Sequence, residues 1–164
     1  AILKDLELPS VVEAKQEPWR LIIPWSPGKN RTYRAELTHF NALWALLSEV
    51  HQVLNLPVPA SFHLWAHSGA YKTVTDVLST ADRQVLGLRL LDATYRAFDD
   101  SKLLNWLAIG GPKVEVAWLK SSATHPKAED LRSRYGNHPN WNFSAVDPSQ
   151  ADHWSLVPVV LRKQ

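Results

Sequence analysis

Val114-Glu115-Val116-Ala117-Trp118-Leu119-Lys120 runs directly into Ser121-Ser122-Ala123-Thr124-His125-Pro126-Lys127-Ala128-Glu129-Asp130-Leu131-Arg132-Ser133-Arg134. The first seven residues alternate β-branched or aromatic side chains with others, which is the pattern of a strand. Small residues then make a turn. A His-Pro and the carboxylate pair Glu129-Asp130 head a basic segment, which predicts a helix from about Lys127 to Tyr135. Gly136-Asn137-His138-Pro139 closes it. A strand that turns straight into a helix, if repeated elsewhere in the chain, predicts an α/β domain.

The pattern does recur upstream. Trp19-Arg20-Leu21-Ile22-Ile23-Pro24-Trp25 reads as a strand stopped by Pro24. From Ala35 to Leu54, the residues Leu37, Phe40, Trp44, Leu47, His51 and Leu54 recur at helical spacing until Pro57. Ser61 to Gly69 reads as a second strand, and Tyr71 to Leu78 as a short helix. Ser79-Thr80-Ala81-Asp82 resembles a capping box ahead of an apolar stripe through Leu86, Leu90, Ala93 and Ala97. Gly87 weakens a helix there, so Val85 to Leu91 is either helix or strand. Leu103 to Ile109 is a short apolar segment stopped by Gly110-Gly111-Pro112. Residues 137–153 read as loop, and His153 to Val160 as an apolar segment of open type. Residues 1–18 form an N-terminal arm or edge strand, and 19–164 one domain.

The totals agree with one soluble domain. The chain has 164 residues, 45% hydrophobic and 21% charged. No apolar run approaches the roughly 18–20 residues of a membrane span, and Ala1-Ile2-Leu3-Lys4-Asp5 has no leader pattern. The expectation is an intracellular protein with no membrane partner. The absence of Cys excludes thiolate zinc sites and disulfides. The histidines lack zinc-ligand spacing. Ser68-Gly69-Ala70-Tyr71-Lys72-Thr73 fails the spacing of a phosphate loop. The formal charge is only +2, but Arg20, Lys29, Arg31 and Arg34 fall in a stretch without acids. Such a stretch suits a polyanion or is simply a solvated loop. Most of the eight Trp should be structural.

The order of elements resembles the ribonuclease H fold after its first hairpin. Asn30-Arg31-Thr32-Tyr33-Arg34-Ala35-Glu36-Leu37 resembles that family's turn into its first helix. Phe62-His63-Leu64-Trp65-Ala66-His67-Ser68 resembles its next strand, and Val114 to Lys120 its final strand. Ala128-Glu129-Asp130-Leu131-Arg132-Ser133-Arg134 is similar to the Ala-Asp-x-Leu-Ser-Arg ending of the retroelement branch. The resemblance spans residues 19–135 and implies a mixed central β-sheet flanked by α-helices. It also implies a two-metal nuclease built from four carboxylates, with Mg²⁺ as cofactor and an RNA–DNA hybrid as substrate.

Onto that scheme, Glu36 carries over as the helix glutamate and Asp130 (or Glu129) as the last acid. These two would be the metal ligands. His67 stands where the family has a strand-end Asp, and imidazole is a poor Mg²⁺ ligand. The first-strand Asp has no match. Ser122 occupies the place of the loop histidine, with His125 three residues on. Asp92, in Leu90-Leu91-Asp92-Ala93-Thr94, falls out of the family's order and is set aside. The depleted set Glu36, His67 and Asp130 implies a degenerate member, comparable to the connection domain of reverse transcriptases. It would hold a hybrid or a single strand, or dock within a larger assembly, through Arg20, Lys29, Arg31, Arg34 and Lys120, with Lys72 as a weaker contact. The rival expectations are an active Mg²⁺-dependent hybrid nuclease, which needs two further acids such as Asp5 or Asp76, and a protein-interaction domain anchored by exposed Trp.

Overall fold

The computed structural model describes residues 22, 37, 39–109 and 112–162. The strand expected at 19–25 and the residues Arg20, Lys29, Arg31, Arg34 and Glu36 lie outside the described residues. Helix α1 spans Phe40–Val53, strand β1 Phe62–His67, helix α2 Tyr71–Leu78 and strand β2 Val85–Leu91. Helix α3 spans Leu104–Ala108, strand β3 Lys113–Leu119, helix α4 His125–Tyr135, strand β4 Trp141–Val146 and helix α5 Leu156–Arg162. The result is an α/β architecture whose four described strands are all parallel, in the order β1-β2-β3-β4.

The structure decides two segments that the sequence reading left open and corrects a third that it read as loop. Val85–Leu91 is a strand, so the stripe through Leu86, Leu90 and Ala97 is not a helix face. Gly87 has a steric reason to be there: a Cβ would come within 2.8 Å of His63 Nδ1 and 3.1 Å of the Lys113 carbonyl. Trp141–Val146 is a strand rather than loop, which makes β3 the penultimate strand. β2 also lies between β1 and β3. The sheet expected to be mixed is parallel throughout its described part. The open segment after His153 is helical from Leu156, with Pro158 in the first turn, where a missing N–H costs nothing.

Helix α1 begins at Phe40, three residues after Leu37, the first of its apolar stripe. His39 ends the extended entry, and its Nδ1 accepts from the Ala42 N–H at 3.2 Å. The helix stops at Asn55, in the left-handed region at φ 53°, from which the chain turns toward Pro57.

The strands alternate between two buried faces, as parallel strands covered on both sides do. Leu88, Leu90, Val114, Val116 and Trp118 pack with Val77 and Leu78 of α2, Trp106 of α3 and Leu131 of α4. The strand order steps one way along the sheet, so successive crossovers of one hand set their helices on one face. Leu91, Ala117, Leu119 and Val146 face the other way, against Leu156 and Val157 of α5. On that second face Arg89 Nε pairs with Glu115 at 2.6 Å, and its guanidinium lies 5.3 Å from the Trp65 ring centre.

Asp100 joins the segment before α3 to α4. Its carboxylate accepts from Arg134 Nη1 at 2.6 Å, Tyr135 Oη at 2.9 Å and Lys127 Nζ at 3.1 Å. Burial alone would raise this carboxyl, but the bonds from Arg134, Lys127 and Tyr135 outweigh it and hold it well below the usual carboxylate range. Asp100→Asn is expected to cost about 2 kcal/mol, the order of a charge-assisted hydrogen bond. In urea the midpoint should fall with an unchanged slope. Because the folded value is depressed, this contribution is complete above the unfolded carboxylate range and fades as pH falls through the folded value. The gap between wild type and Asp100→Asn should therefore narrow in acid.

Candidate active site

In a parallel sheet the loops leaving the C-terminal strand ends gather on one edge, where α/β proteins place their ligands. Here those loops bring Ser68, Asp92, Ser122, Thr124 and His153 to that edge. β1 ends at His67, and Ser68 follows at once with φ 54°. A 3₁₀ turn over Ser68–Ala70 then leads into α2. A strand, a residue in the left-handed region and a helix make a sharp elbow that thrusts the middle side chain out. Such a turn needs small neighbours, and buried Ala66 and half-buried Ala70 flank Ser68 at two residues either side.

Asp92 follows β2 in the same way, also in the left-handed region at φ 46°. Two non-glycine residues so placed at adjacent strand ends mark strain of the kind concentrated at functional sites. Asp92 is buried. Its Oδ1 accepts from Ser122 Oγ at 2.6 Å and closely from the Thr124 hydroxyl. Its Oδ2 meets His153 Nδ1 at 2.6 Å. Burial pushes the carboxyl up, but the Ser122 and Thr124 hydroxyls and the His153 imidazole together pull it below its ordinary value. Asp92 is thus a carboxylate at neutral pH. It fixes the proton of His153 on Nδ1 and leaves Nε2 as the basic nitrogen.

His153 is held from behind. Asp152 Oδ1 accepts from the N–H groups of Trp154 and Ser155 at 3.0 and 2.8 Å, and the Asp152 N–H donates to Ser155 Oγ at 2.9 Å. This reciprocal cap sets the turn that enters α5. His67 Nε2 donates to the His153 carbonyl at 2.8 Å, and the two imidazoles lie 4.4 Å apart. Burial is the main cause that lowers the His67 pKa. Trp154, 57% exposed, flanks both rings at 5.5 and 5.2 Å. Ser68 Oγ bonds to Tyr95 Oη at 3.3 Å, and no hydrogen bond joins Ser68 to His153 in this structure.

Of the residues proposed from sequence, the structure describes His67, Lys72, Lys120, Glu129 and Asp130. His67 is at the site described, where its imidazole donates to the His153 carbonyl. Asp130 projects from α4, where Arg134 and Lys127 pair with it at 2.7 and 3.2 Å. Glu129 pairs with Arg132. His67 and Asp130 share no partner. Lys120 faces Asp147 at 3.8 Å, and Lys72 lies 5.9 Å from the Tyr71 ring centre. Among the described residues no group of three or more His, Asp or Glu is placed to hold a metal. The described acids therefore do not fit a two-Mg²⁺ centre. No helix among them is long and apolar enough to cross a membrane.

Sequence reasoning sets Asp92 aside and does not assign a site role to Ser68, Tyr95 or His153. Ala66-His67-Ser68-Gly69-Ala70 carried a usable signal, since it is the pattern Gly-x-Ser-x-Gly with alanine at both glycine positions. Compared with protein-family models, curated proteins and solved structures, the chain matches none.

Proposed function

We propose that this chain is a serine hydrolase of the α/β-hydrolase kind, acting on carboxylic esters through an acyl-enzyme. Ser68 is the nucleophile, His153 the general base and Asp92 the residue that orients it. The observation that carries this reading is the 2.6 Å bond from Asp92 to His153 at the strand edge where Ser68 forms its elbow. The chain order Ser, Asp, His also agrees with that architecture.

Each group has a defined task. Ser68 Oγ attacks the ester carbonyl carbon as its proton passes to His153 Nε2. Asp92 stabilises the imidazolium so formed. His153 then protonates the departing alcohol, and water repeats the cycle on the acyl-Ser68 ester. Attack requires Oγ within hydrogen-bond reach of Nε2, so Ser68 must turn from Tyr95 toward His153, a tightening that substrate-free sites commonly await. The Gly69 N–H lies in the first turn of the 3₁₀ segment, where backbone donors have no intrahelical partner, and is the expected backbone donor to the oxyanion. The direct test combines labelling by a fluorophosphonate with turnover of p-nitrophenyl acetate. Both should occur in wild type, and failure of both would reject the reading.

A ribonuclease H-like module that holds nucleic acid is the second proposal, supported by the order of the motifs and by the acid-free basic stretch Arg20–Arg34. On that reading, binding of an RNA–DNA hybrid should weaken steeply as salt rises from about 50 to 200 mM. Binding that is absent at low salt or indifferent to salt would reject it.

A further inference from the structure

We infer that Tyr95 is a catalytic residue of the same site, donating its phenolic hydrogen to the oxyanion of the acyl-transfer intermediate; this rests on the serine-hydrolase reading. Tyr95 Oη lies 3.3 Å from Ser68 Oγ and is, among the described residues, the hydrogen-bond partner of that hydroxyl. The ring is fixed from behind. It stacks on buried Tyr71 with centroids 5.6 Å apart, and Tyr71 is braced edge-on by buried Phe98 at 6.2 Å. Tyr95 remains half-buried.

The loop after β2 therefore contributes twice. Asp92 reaches His153, and three residues later Tyr95 reaches the nucleophile. The loop is tied down between them, since the Thr94 hydroxyl donates to the Thr124 carbonyl at 3.3 Å and the Asp92 N–H to the Ala117 carbonyl at 2.7 Å. A phenol held this way costs little reorganisation when charge develops, which is the condition for effective electrostatic catalysis. Space is also open on the Ser68 side of the turn, because a Cβ on Gly69 would meet nothing within 4 Å.

When Ser68 Oγ bonds to the carbonyl carbon, the C=O π pair moves onto the carbonyl oxygen and the Oγ proton goes to His153. The new alkoxide is attached to the carbon that Oγ has joined, so it forms two bonds from the atom Tyr95 already touches. Tyr95 then exchanges its contact with Oγ for a stronger, charge-assisted bond to the alkoxide, and keeps its own proton. Collapse of the intermediate expels the alcohol with the proton from His153 and restores the neutral carbonyl.

The test is Tyr95→Phe in the full chain, which removes the hydroxyl and keeps the stack on Tyr71. With p-nitrophenyl acetate, kcat should fall about 10²-fold with KM within twofold. Affinity for an aryl trifluoromethyl ketone, which forms the tetrahedral anion on Ser68, should fall by a similar factor, and the melting temperature should hold. An unchanged kcat, or a loss of kcat with unaltered ketone affinity, would overturn the assignment. If wild type neither turns over the ester nor labels with fluorophosphonate, the hydrolase reading fails and this inference with it. A labelled, active wild type with an indifferent Tyr95→Phe rejects Tyr95 alone.

Discussion

Ser68→Ala is expected to abolish fluorophosphonate labelling and to lower kcat for p-nitrophenyl acetate by about 10⁴-fold or more. The size follows from covalent catalysis. Without Oγ no acyl-enzyme forms, and what remains is binding and oxyanion stabilisation of direct attack by water. Stability should move little, because among the described residues Oγ has only the 3.3 Å contact with Tyr95 as a hydrogen bond. Ser68 sits at φ 54°, and alanine inherits that strained backbone without relieving it. Ser68→Gly separates the two effects, since glycine adopts positive φ without strain. It should be as inactive as alanine and no less stable. Retained labelling in Ser68→Ala would place the nucleophile elsewhere and end the triad assignment.

Asp92→Asn should lower kcat by about 10⁴-fold while KM stays within a few-fold. Asparagine keeps the size of the side chain but loses the charge that stabilises the imidazolium. It can also present an N–H to His153 Nδ1, which moves the ring proton to Nε2, and a protonated Nε2 cannot accept from Ser68. Unlike Ser68→Ala, this change should destabilise the fold. Asp92 is buried, and the Ser122 and Thr124 hydroxyls and His153 converge on it. A loss of roughly 2 kcal/mol is the expected scale. The sign with pH follows from the lowered Asp92 carboxyl. Its contribution is fully present above the unfolded carboxylate value of about 4 and is lost as pH falls through the folded one. Wild type and Asp92→Asn should therefore converge in stability toward acid. Thermal melts across that range, with kinetics at neutral pH, check both parts. A fully active Asp92→Asn would remove Asp92 from the mechanism.

Some of this was legible in the residues alone. The alternation of Val114, Val116 and Trp118, the turn that follows and the helix over Lys127–Tyr135 are local patterns, and local geometry determines them. The Phe62–His67 strand and the Tyr71–Leu78 helix are of the same kind. Val85–Leu91 was ambiguous because a short apolar run carries no decisive period, and its glycine reads as a helix breaker until His63 is seen packed against it. Trp141–Val146 was missed because Asn142 and Ser144 look like loop residues. They are tolerated where β4 ends the described sheet and faces less of the core.

The chemistry was legible only in fragments. Asp92 falls outside the order of the ribonuclease H motifs, and Ser68 lies in a turn whose spacing fails that of a phosphate loop. The sequence by itself determined an α/β pattern of strands and helices with no thiolate chemistry, since period, turn residues and composition are local properties. Tertiary structure alone decided which polar residues meet. Asp92 and His153 are 61 positions apart, and neither carries a local mark of its partner. They come together because four parallel strands end on one edge, and parallel pairing sends every strand's exit loop to the same side.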